Sequence, residues 1–238
     1  MSRDKLQAAF WNILPIAIIA FVGFSLWSGP RTAAADAIAL PDPIVDQQKP
    51  ADTQQVAVVA GGCFWGIQAV FQHTKGVKVA LSGYSGGMKT NPSYEEVSSG
   101  RTGHAEAVEI KYDPREITYG QVLKIFFSVA HDPTQLNRQG PDTGTQYRSA
   151  IFFTSDEQKK IAESYIAQLD KSSTFKSPIV TTVGKLAAFY PAEDYHQDYA
   201  IKHPTQPYIA VHDLPKVENL KRLFPAIYQT TPVTVAAR

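Results

Sequence analysis

A short apolar run, a glycine pair and a helical stripe follow one another between Gln55 and His73, and this order favours folds built from strand–helix units. Gln55 to Ala60 is short, apolar and β-branched, as expected of a buried β-strand. Gly61-Gly62 ends that run, and Phe64 to His73 has the apolar spacing of an amphipathic helix. Cys63, the only cysteine of the chain, falls at the junction.

Strand and helix patterns alternate through the rest of the chain. Further strands are predicted at Val77–Leu81, Ala105–Tyr112, Ser149–Thr154 and Ile179–Phe189, and further helices at Thr118–Ala130, Ser155–Lys171 and Pro191–Ile201. Ser82–Gly103, with five glycines, is predicted as loop. The alternation favours an α/β (α+β) domain, a two-layer sandwich in which helices pack on a mixed β-sheet with a ferredoxin-like core.

The N-terminal segment differs from the remainder because Leu6 to Pro30 contains no charged residue. Phe10 to Trp27 is mostly apolar and about long enough to cross a bilayer as a helix. Arg3 and Lys5 precede it, which favours a cytoplasmic N-terminus. We expect residues 1–30 to form a single transmembrane helix with the catalytic domain outside the cytoplasm, on the periplasmic side. The alternative is a signal segment cleaved near Ala35–Ala37, which would export a soluble protein.

Residues 31–54 are rich in Ala, Pro, Asp and Gln and are predicted to form a flexible linker, followed by one domain at 55–238. The chain has 23 Lys and Arg against 22 Asp and Glu, so no basic excess points to nucleic acid. One cysteine allows no internal disulfide, and the histidines lack metal-ligand spacing. We therefore expect no metal, no cofactor and no nucleic-acid partner. We also expect a monomer.

Cys63 has two interpretations from local pattern alone. At a helix N-terminus, unpaired N–H groups and the helix dipole would lower the pKa of its thiol, and the glycine pair would leave the sulfur open to approach. The alternative is a structural cysteine that fills the core. A reactive Cys63 could also serve a Cys-His-Asp acyl-transfer enzyme together with His196 or His131.

Longer motifs distinguish these interpretations. GGCFWG at 61–66 resembles the signature of the A-type peptide methionine sulfoxide reductases, and six further motifs follow that family's order and spacing. They are GYSGG at 83–87, NPSYEEVSSG at 91–100, GHAEAVEIKYDP at 103–114, HDPT at 131–134, NRQGPDTGTQYRSAIF at 137–152 and AEDYHQDY at 192–199. The resemblance implies thiol-dependent reduction of methionine S-sulfoxide, free or in oxidised proteins, to methionine.

The resemblance makes Cys63 the nucleophile and Glu106 the acid that protonates the sulfoxide oxygen. Strand periodicity agrees for Glu106, because it shares a face with Val108, Ile110 and Tyr112. A carboxyl on that apolar face should have a raised pKa, as a general acid near neutral pH requires.

The remaining site residues are implied by the resemblance. Tyr94 and Tyr147 would hydrogen-bond the sulfoxide oxygen, Phe64 and Trp65 would line the methyl pocket, Asp142 would hold the substrate site, and His196 would support it.

The chain departs from the family in its thiols. Many relatives carry further cysteines that attack the sulfenic acid, yet residues 225–238 contain none, and position 98 is Ser98. We therefore expect an external thiol, small, glutaredoxin-like or thioredoxin-like, to recycle Cys63. A further alternative is a catalytically inactive domain that binds oxidised protein segments without reducing them.

Overall fold

The computed structural model describes residues 37–48 and 54–235. In this part of the chain the strands are β1 Gln55–Ala60, β2 Val77–Ser85, β3 Ala105–Tyr112, β4 Arg138–Gln139, β5 Asp142–Thr143, β6 Ala150–Phe153, β7 Thr182–Lys185 and β8 Phe189–Pro191. The α-helices are α1 Phe64–Gln72, α2 Tyr94–Ser98, α3 Tyr119–Ile125, α4 Asp156–Lys171, α5 Tyr199–Lys202 and α6 Leu214–Leu223.

Six strands form one mixed sheet in the order β7-β6-β1-β3-β2-β8, and β4 and β5 form a separate small hairpin. The β6–β7 pair is parallel, whereas the other pairs of the large sheet are antiparallel. Its four central strands, with α1 after β1 and α3 after β3, have the order of a ferredoxin-like fold. The predicted mixed sheet and ferredoxin-like core are therefore confirmed.

The two faces of the sheet carry different side chains. One face carries Val59, Val108 and Ile110, which share a large buried cluster with residues of α1, α3, α4 and α6. The other face carries a smaller cluster that includes Ala105 and Ala107. Alternation along β3 therefore directs even-numbered positions toward the helices, which is the face predicted for Glu106.

Three predictions about secondary structure are wrong. Ile179–Phe189 is not one strand, because it divides into β7 and the start of β8, which lie at opposite edges of the sheet. Ser82–Gly103 is not all loop, because β2 continues to Ser85 and α2 forms within it. Pro191–Ile201 is not one helix: a short turn at Asp194–His196 is separated from α5 by Asp198, whose φ of 59° is left-handed. Hydrogen bonds from the Gln197 amide to the Ser82 and Ala192 carbonyls hold this segment in place of helical bonds. Helix α6 was not predicted.

Part of the predicted linker packs on the domain. Leu40 is 2% exposed and belongs to the large core cluster. The Tyr165 hydroxyl donates to the Pro41 carbonyl at 2.8 Å, and the Gly120 N–H donates to Asp46 Oδ1 at 2.8 Å. Residues 37–48 thus follow α3 and α4, a tertiary arrangement that composition does not reveal.

The predicted membrane segment at 1–30 lies outside the described residues. Within the ranges 37–48 and 54–235, no helix has both the length and the apolar character needed to cross a bilayer.

Candidate active site

Cys63 lies where β1 passes into α1, as the N-cap residue of that helix. The two glycines before it allow close packing: a Cβ on Gly61 would lie 2.8 Å from Cγ of His131, and one on Gly62 would lie 2.6 Å from Cβ of Gln139. Gly62 also has a φ of 101°, which favours glycine. These glycines let the turn fit against its neighbours. The sulfur is not left open, because Cys63 is 7% exposed.

The predicted low pKa of Cys63 is wrong for the free protein. Burial raises the pKa of the thiol well above its ordinary value, and the charges of Glu106 and Asp213 raise it further. The backbone N–H of Trp65 acts in the expected direction and lowers the pKa, as does Lys216. The helix N-terminus therefore stabilises a thiolate, but desolvation outweighs it.

Glu106 lies on the helix-facing side of β3 and is 2% exposed. Its Oε2 accepts a hydrogen bond from the backbone N–H of Phe64 at 3.1 Å, which places the carboxyl beside the residue that follows Cys63. Burial raises its pKa to about 8, the Phe64 N–H opposes this, and the charges of Asp142 and Asp213 add to it. Glu106 is therefore protonated at neutral pH, as a proton donor must be.

Tyr94 and Tyr147 come from different loops. Tyr94 opens α2, and its backbone N–H donates to Glu193 Oε1 at 2.9 Å, while the Tyr84 hydroxyl donates to Oε2 of the same carboxylate at 2.8 Å. Tyr147 ends the turn Thr145–Tyr147. The pKa of Tyr147 is raised first by burial and then by Glu106 and Asp142, with smaller contributions from Tyr94 and Cys63. Both tyrosines interact electrostatically with Glu106 and Cys63, so both belong to the surroundings of this pair.

Aromatic side chains form one wall of the site. Phe64 is buried, and its ring centroid lies 5.1 Å from that of His196. Trp65 is half-buried and stacks on Tyr199, with centroids 4.0 Å apart. The arrangement suits the predicted apolar pocket for a methyl group.

The two histidines of the acyl-transfer alternative have other partners. His196 Nδ1 accepts from the Trp65 indole N–H at 3.2 Å, and burial lowers the pKa of its ring. His131 Nδ1 donates to the Phe126 carbonyl at 3.2 Å, and its Nε2 accepts from Ser149 Oγ at 2.8 Å, a proton assignment inferred from these partners. In the described part of the chain neither ring hydrogen-bonds the Cys63 sulfur, so the geometry does not favour acyl transfer.

Asp142 lies on β5 and accepts a hydrogen bond from the Tyr208 hydroxyl. Sequence reasoning missed Tyr208, Tyr199, Asp213 and Lys216 as neighbours of the site. Tyr199 could have been found because it ends the AEDYHQDY motif. The other three come from the segment before α6 and from α6 itself, where no motif had been recognised.

For metal binding, the described ranges contain no group of three His, Cys, Asp or Glu side chains that could hold an ion. The site as described thus consists of a thiol, a protonated carboxyl, tyrosine hydroxyls and aromatic rings.

Comparison with known proteins agrees with this set of groups. A family model described as peptide methionine sulfoxide reductase matches residues 55–226. A peptide methionine sulfoxide reductase MsrA 2 of Mesorhizobium japonicum is 61% identical over 79% of this chain and 96% of its own length. One of Synechocystis sp. is 53% identical over 78% of this chain and 88% of its own.

Two solved structures resemble the fold. The reduced form of Mxr1 from Saccharomyces cerevisiae has a TM-score of 0.61 at 32% identity, covering 69% of this chain and 94% of that one. Methionine sulfoxide reductase A of Corynebacterium diphtheriae has a TM-score of 0.56 at 35% identity, covering 72% and 90%. On the family match and these identities, the chain belongs to the A-type peptide methionine sulfoxide reductases, a family of oxidoreductases.

Proposed function

We propose that this chain reduces methionine S-sulfoxide, free or in oxidised proteins, with Cys63 as nucleophile and Glu106 as general acid. The observation that carries the proposal is the hydrogen bond from the Phe64 N–H to Glu106, because it holds a protonated carboxyl beside the residue next to the thiol. The aromatic wall of Phe64 and Trp65 supports recognition of the S–CH₃ group.

The Cys63 sulfur attacks the substrate sulfur, and the step ends with one oxygen on the Cys63 sulfur and the substrate as a thioether. The sulfoxide S–O bond breaks as Glu106 donates a proton to the oxygen, and the hydroxyls of Tyr94 and Tyr147 stabilise the charge on that oxygen. Glu106 recovers a proton from the Cys63 thiol. The step balances as Cys63–SH plus sulfoxide giving Cys63–SOH plus thioether: the substrate sulfur gains two electrons and Cys63 loses two.

An external thiol completes the cycle. Cys63 is the only cysteine in the sequence, so its sulfenic acid has no internal thiol to form a disulfide with. Two equivalents of an external thiol return Cys63–SOH to the thiol, and water and the external disulfide are released. A small thiol, a glutaredoxin-like protein and a thioredoxin-like protein all fit this chemistry.

We also propose that the segment 1–30 directs the chain to the membrane, with the catalytic domain on the periplasmic side. The uncharged run from Leu6 to Pro30, with Arg3 and Lys5 before it, supports this placement. Mass analysis of the chain after expression with its N-terminus intact tests it, since loss of the residues before Ala35–Ala37 would show cleavage instead.

The test of the reaction is a single turnover without thiol. The full chain is mixed with one equivalent of each sulfoxide epimer in turn, and methionine and the intact mass are measured. We expect about one methionine per chain from the S epimer only, and one added oxygen on Cys63. Cys63→Ser serves as the control and should form none. No methionine from either epimer, with the mass unchanged, would refute the proposal.

A further inference from the structure

An ion pair with a buried carboxylate lies against α1, the helix whose N-cap is Cys63, and the motifs do not account for it. Asp213 immediately precedes α6 and is 0% exposed. Its Oδ1 lies 3.0 Å from Lys216 Nζ, and the Lys216 side chain is 16% exposed. Among the described residues the second carboxylate oxygen, Oδ2, has no hydrogen-bond partner. Burying a carboxylate with only part of its hydrogen bonds made costs stability, so the pair needs an explanation beyond stability.

Gly66 shows where the pair lies. A Cβ at this position would be 2.1 Å from Asp213 Oδ1 and 2.7 Å from Lys216 Nζ. Gly66 belongs to the first turn of α1, three residues after Cys63. The absence of a side chain on Gly66 therefore lets both charges approach the N-terminal turn of the helix that carries the thiol.

The charged groups around Cys63 come from two elements. Glu106 faces it from β3, and Asp213 and Lys216 face it from α6 and the residue before it; the tyrosines that interact with it are Tyr94, Tyr147 and Tyr208. The two carboxyls raise the pKa of the thiol and Lys216 lowers it, and the effect of Asp213 exceeds that of Lys216.

We propose that Asp213 and Lys216 are positioning residues that set the balance between the thiol and thiolate forms of Cys63, the ammonium favouring the thiolate and the carboxylate favouring the thiol. Asp213 also holds Lys216 against Gly66, so the two opposing charges stay at a fixed place beside α1. The proposal deepens the assignment of Cys63 as nucleophile and rests on it.

The test measures Cys63 directly. The full-length protein is alkylated with iodoacetamide across a series of pH values, and because Cys63 is the only cysteine, the intact mass reports on it alone. Asp213→Asn removes the carboxylate and keeps an oxygen that can accept from Lys216. We expect this variant to react at least about threefold faster than the wild type at a pH below the pKa of the thiol.

The double variant Asp213→Asn, Lys216→Gln differs from Asp213→Asn only at Lys216, so comparing the two gives the effect of the ammonium on the alkylation rate. It should react more slowly than Asp213→Asn but faster than the wild type, because the larger effect belongs to Asp213. Glu218→Gln and Lys221→Gln remove the same charges from exposed positions of α6 and should leave the rate unchanged. If Asp213→Asn fails to fold, the double variant leaves no unpaired charge buried and is compared with the wild type alone.

A structurally opened pocket would also raise the limiting alkylation rate at pH values above the pKa of the thiol, whereas the charge substitutions should leave that limit unchanged. Variants that react like the wild type, or that both react more slowly, would overturn the proposal. The alkylation series can also fail independently of the single-turnover test of the proposed function. If the expected order of alkylation rates is found and no methionine forms, the reductase mechanism fails and the positioning role stands. If methionine forms normally and the order is absent, only the positioning role fails.

Discussion

Both acidic groups at the centre of the site are protonated in the free protein. The pKa of Glu106 is raised to about 8, and burial raises the pKa of the Cys63 thiol as well. Sequence periodicity foresaw the first, since it places Glu106 on the apolar face of β3. The raised pKa of Cys63 could not be predicted in the same way. The helix N-terminus is visible in the sequence, whereas the burial of the sulfur depends on α6 and the surrounding loops.

Glu106→Gln should slow the reduction step by about 10²- to 10⁴-fold, because the amide accepts the same Phe64 hydrogen bond but cannot donate an acidic proton. The measurement is the rate of methionine formation in a single turnover. The wild-type rate should fall as pH rises through about 8, where Glu106 loses its proton.

Glu109→Gln is the matched control for this variant. Glu109 is on the same strand but on its other face, paired with Lys111 at 3.4 Å, and its removal should leave the rate within about twofold of the wild type. Equal rates for Glu106→Gln and the wild type would exclude Glu106 as the acid.

At the scale of elements, residues 37–48 complete the N-terminus of α3. Thr118 caps this helix, and the Asp46 carboxylate accepts hydrogen bonds from the Thr118 hydroxyl and the Gly120 N–H. A carboxylate at this end also interacts favourably with the helix dipole. The segment therefore contributes to the stability of the domain, and a fragment that begins after residue 48 would lack it.

Leu40→Ala should lower the free energy of unfolding by about 2 to 4 kcal/mol, because Leu40 is 2% exposed within the main core. Ile44 lies in the same segment but is 85% exposed, so Ile44→Ala should change the free energy of unfolding by less than about 0.5 kcal/mol. Denaturant unfolding of the two variants and the wild type measures this. Equal free energies of unfolding for Leu40→Ala and Ile44→Ala would show that the segment does not pack on the domain.

At the scale of the whole molecule, Glu106 and His131 are two of the groups that shape the dependence of stability on pH. Between pH 4.5 and about 8 the unfolded chain has lost a proton that folded Glu106 keeps, so stability falls as pH rises. Burial lowers the pKa of His131 from 6.5 to about 4, so between these values stability falls as pH falls. The two contributions oppose each other below pH 6.5, and that of Glu106 continues above it. Burial also raises the pKa of Asp213, which adds a contribution of the same sign as that of Glu106.

The wild type should therefore lose about 2 kcal/mol of unfolding free energy between pH 6.5 and about 8. Glu106→Gln lacks this ionisation, so its unfolding free energy should fall by about 2 kcal/mol less than that of the wild type over the same range. Denaturant melts of both proteins at a series of pH values check this. Parallel curves for the two proteins would mean that Glu106 ionises normally in the folded chain.

The sequence allowed the central sheet and the motif-bearing residues to be predicted, but not the parts that depend on long-range packing. β1, α1 and β3 follow local periodicity, and Cys63, Glu106, Tyr94 and Tyr147 lie in recognisable motifs. The helix predicted at Pro191–Ile201 failed because tertiary hydrogen bonds of Gln197 compete with helical ones. The Asp213–Lys216 pair was missed because only the folded chain brings α6 to Gly66.

The burial of Cys63 also affects how long its oxidised form survives. Without a neighbouring thiol, the sulfenic acid must wait for a reductant to arrive, and during that time peroxide can convert it irreversibly to the sulfinic acid. Since only 7% of the residue is exposed, peroxide has restricted access. We expect few second oxygens on Cys63 in intact mass spectra after brief peroxide treatment; rapid addition would contradict this. The closed pocket would thus act as protection against hyperoxidation, a task that a disulfide performs where a second cysteine is present.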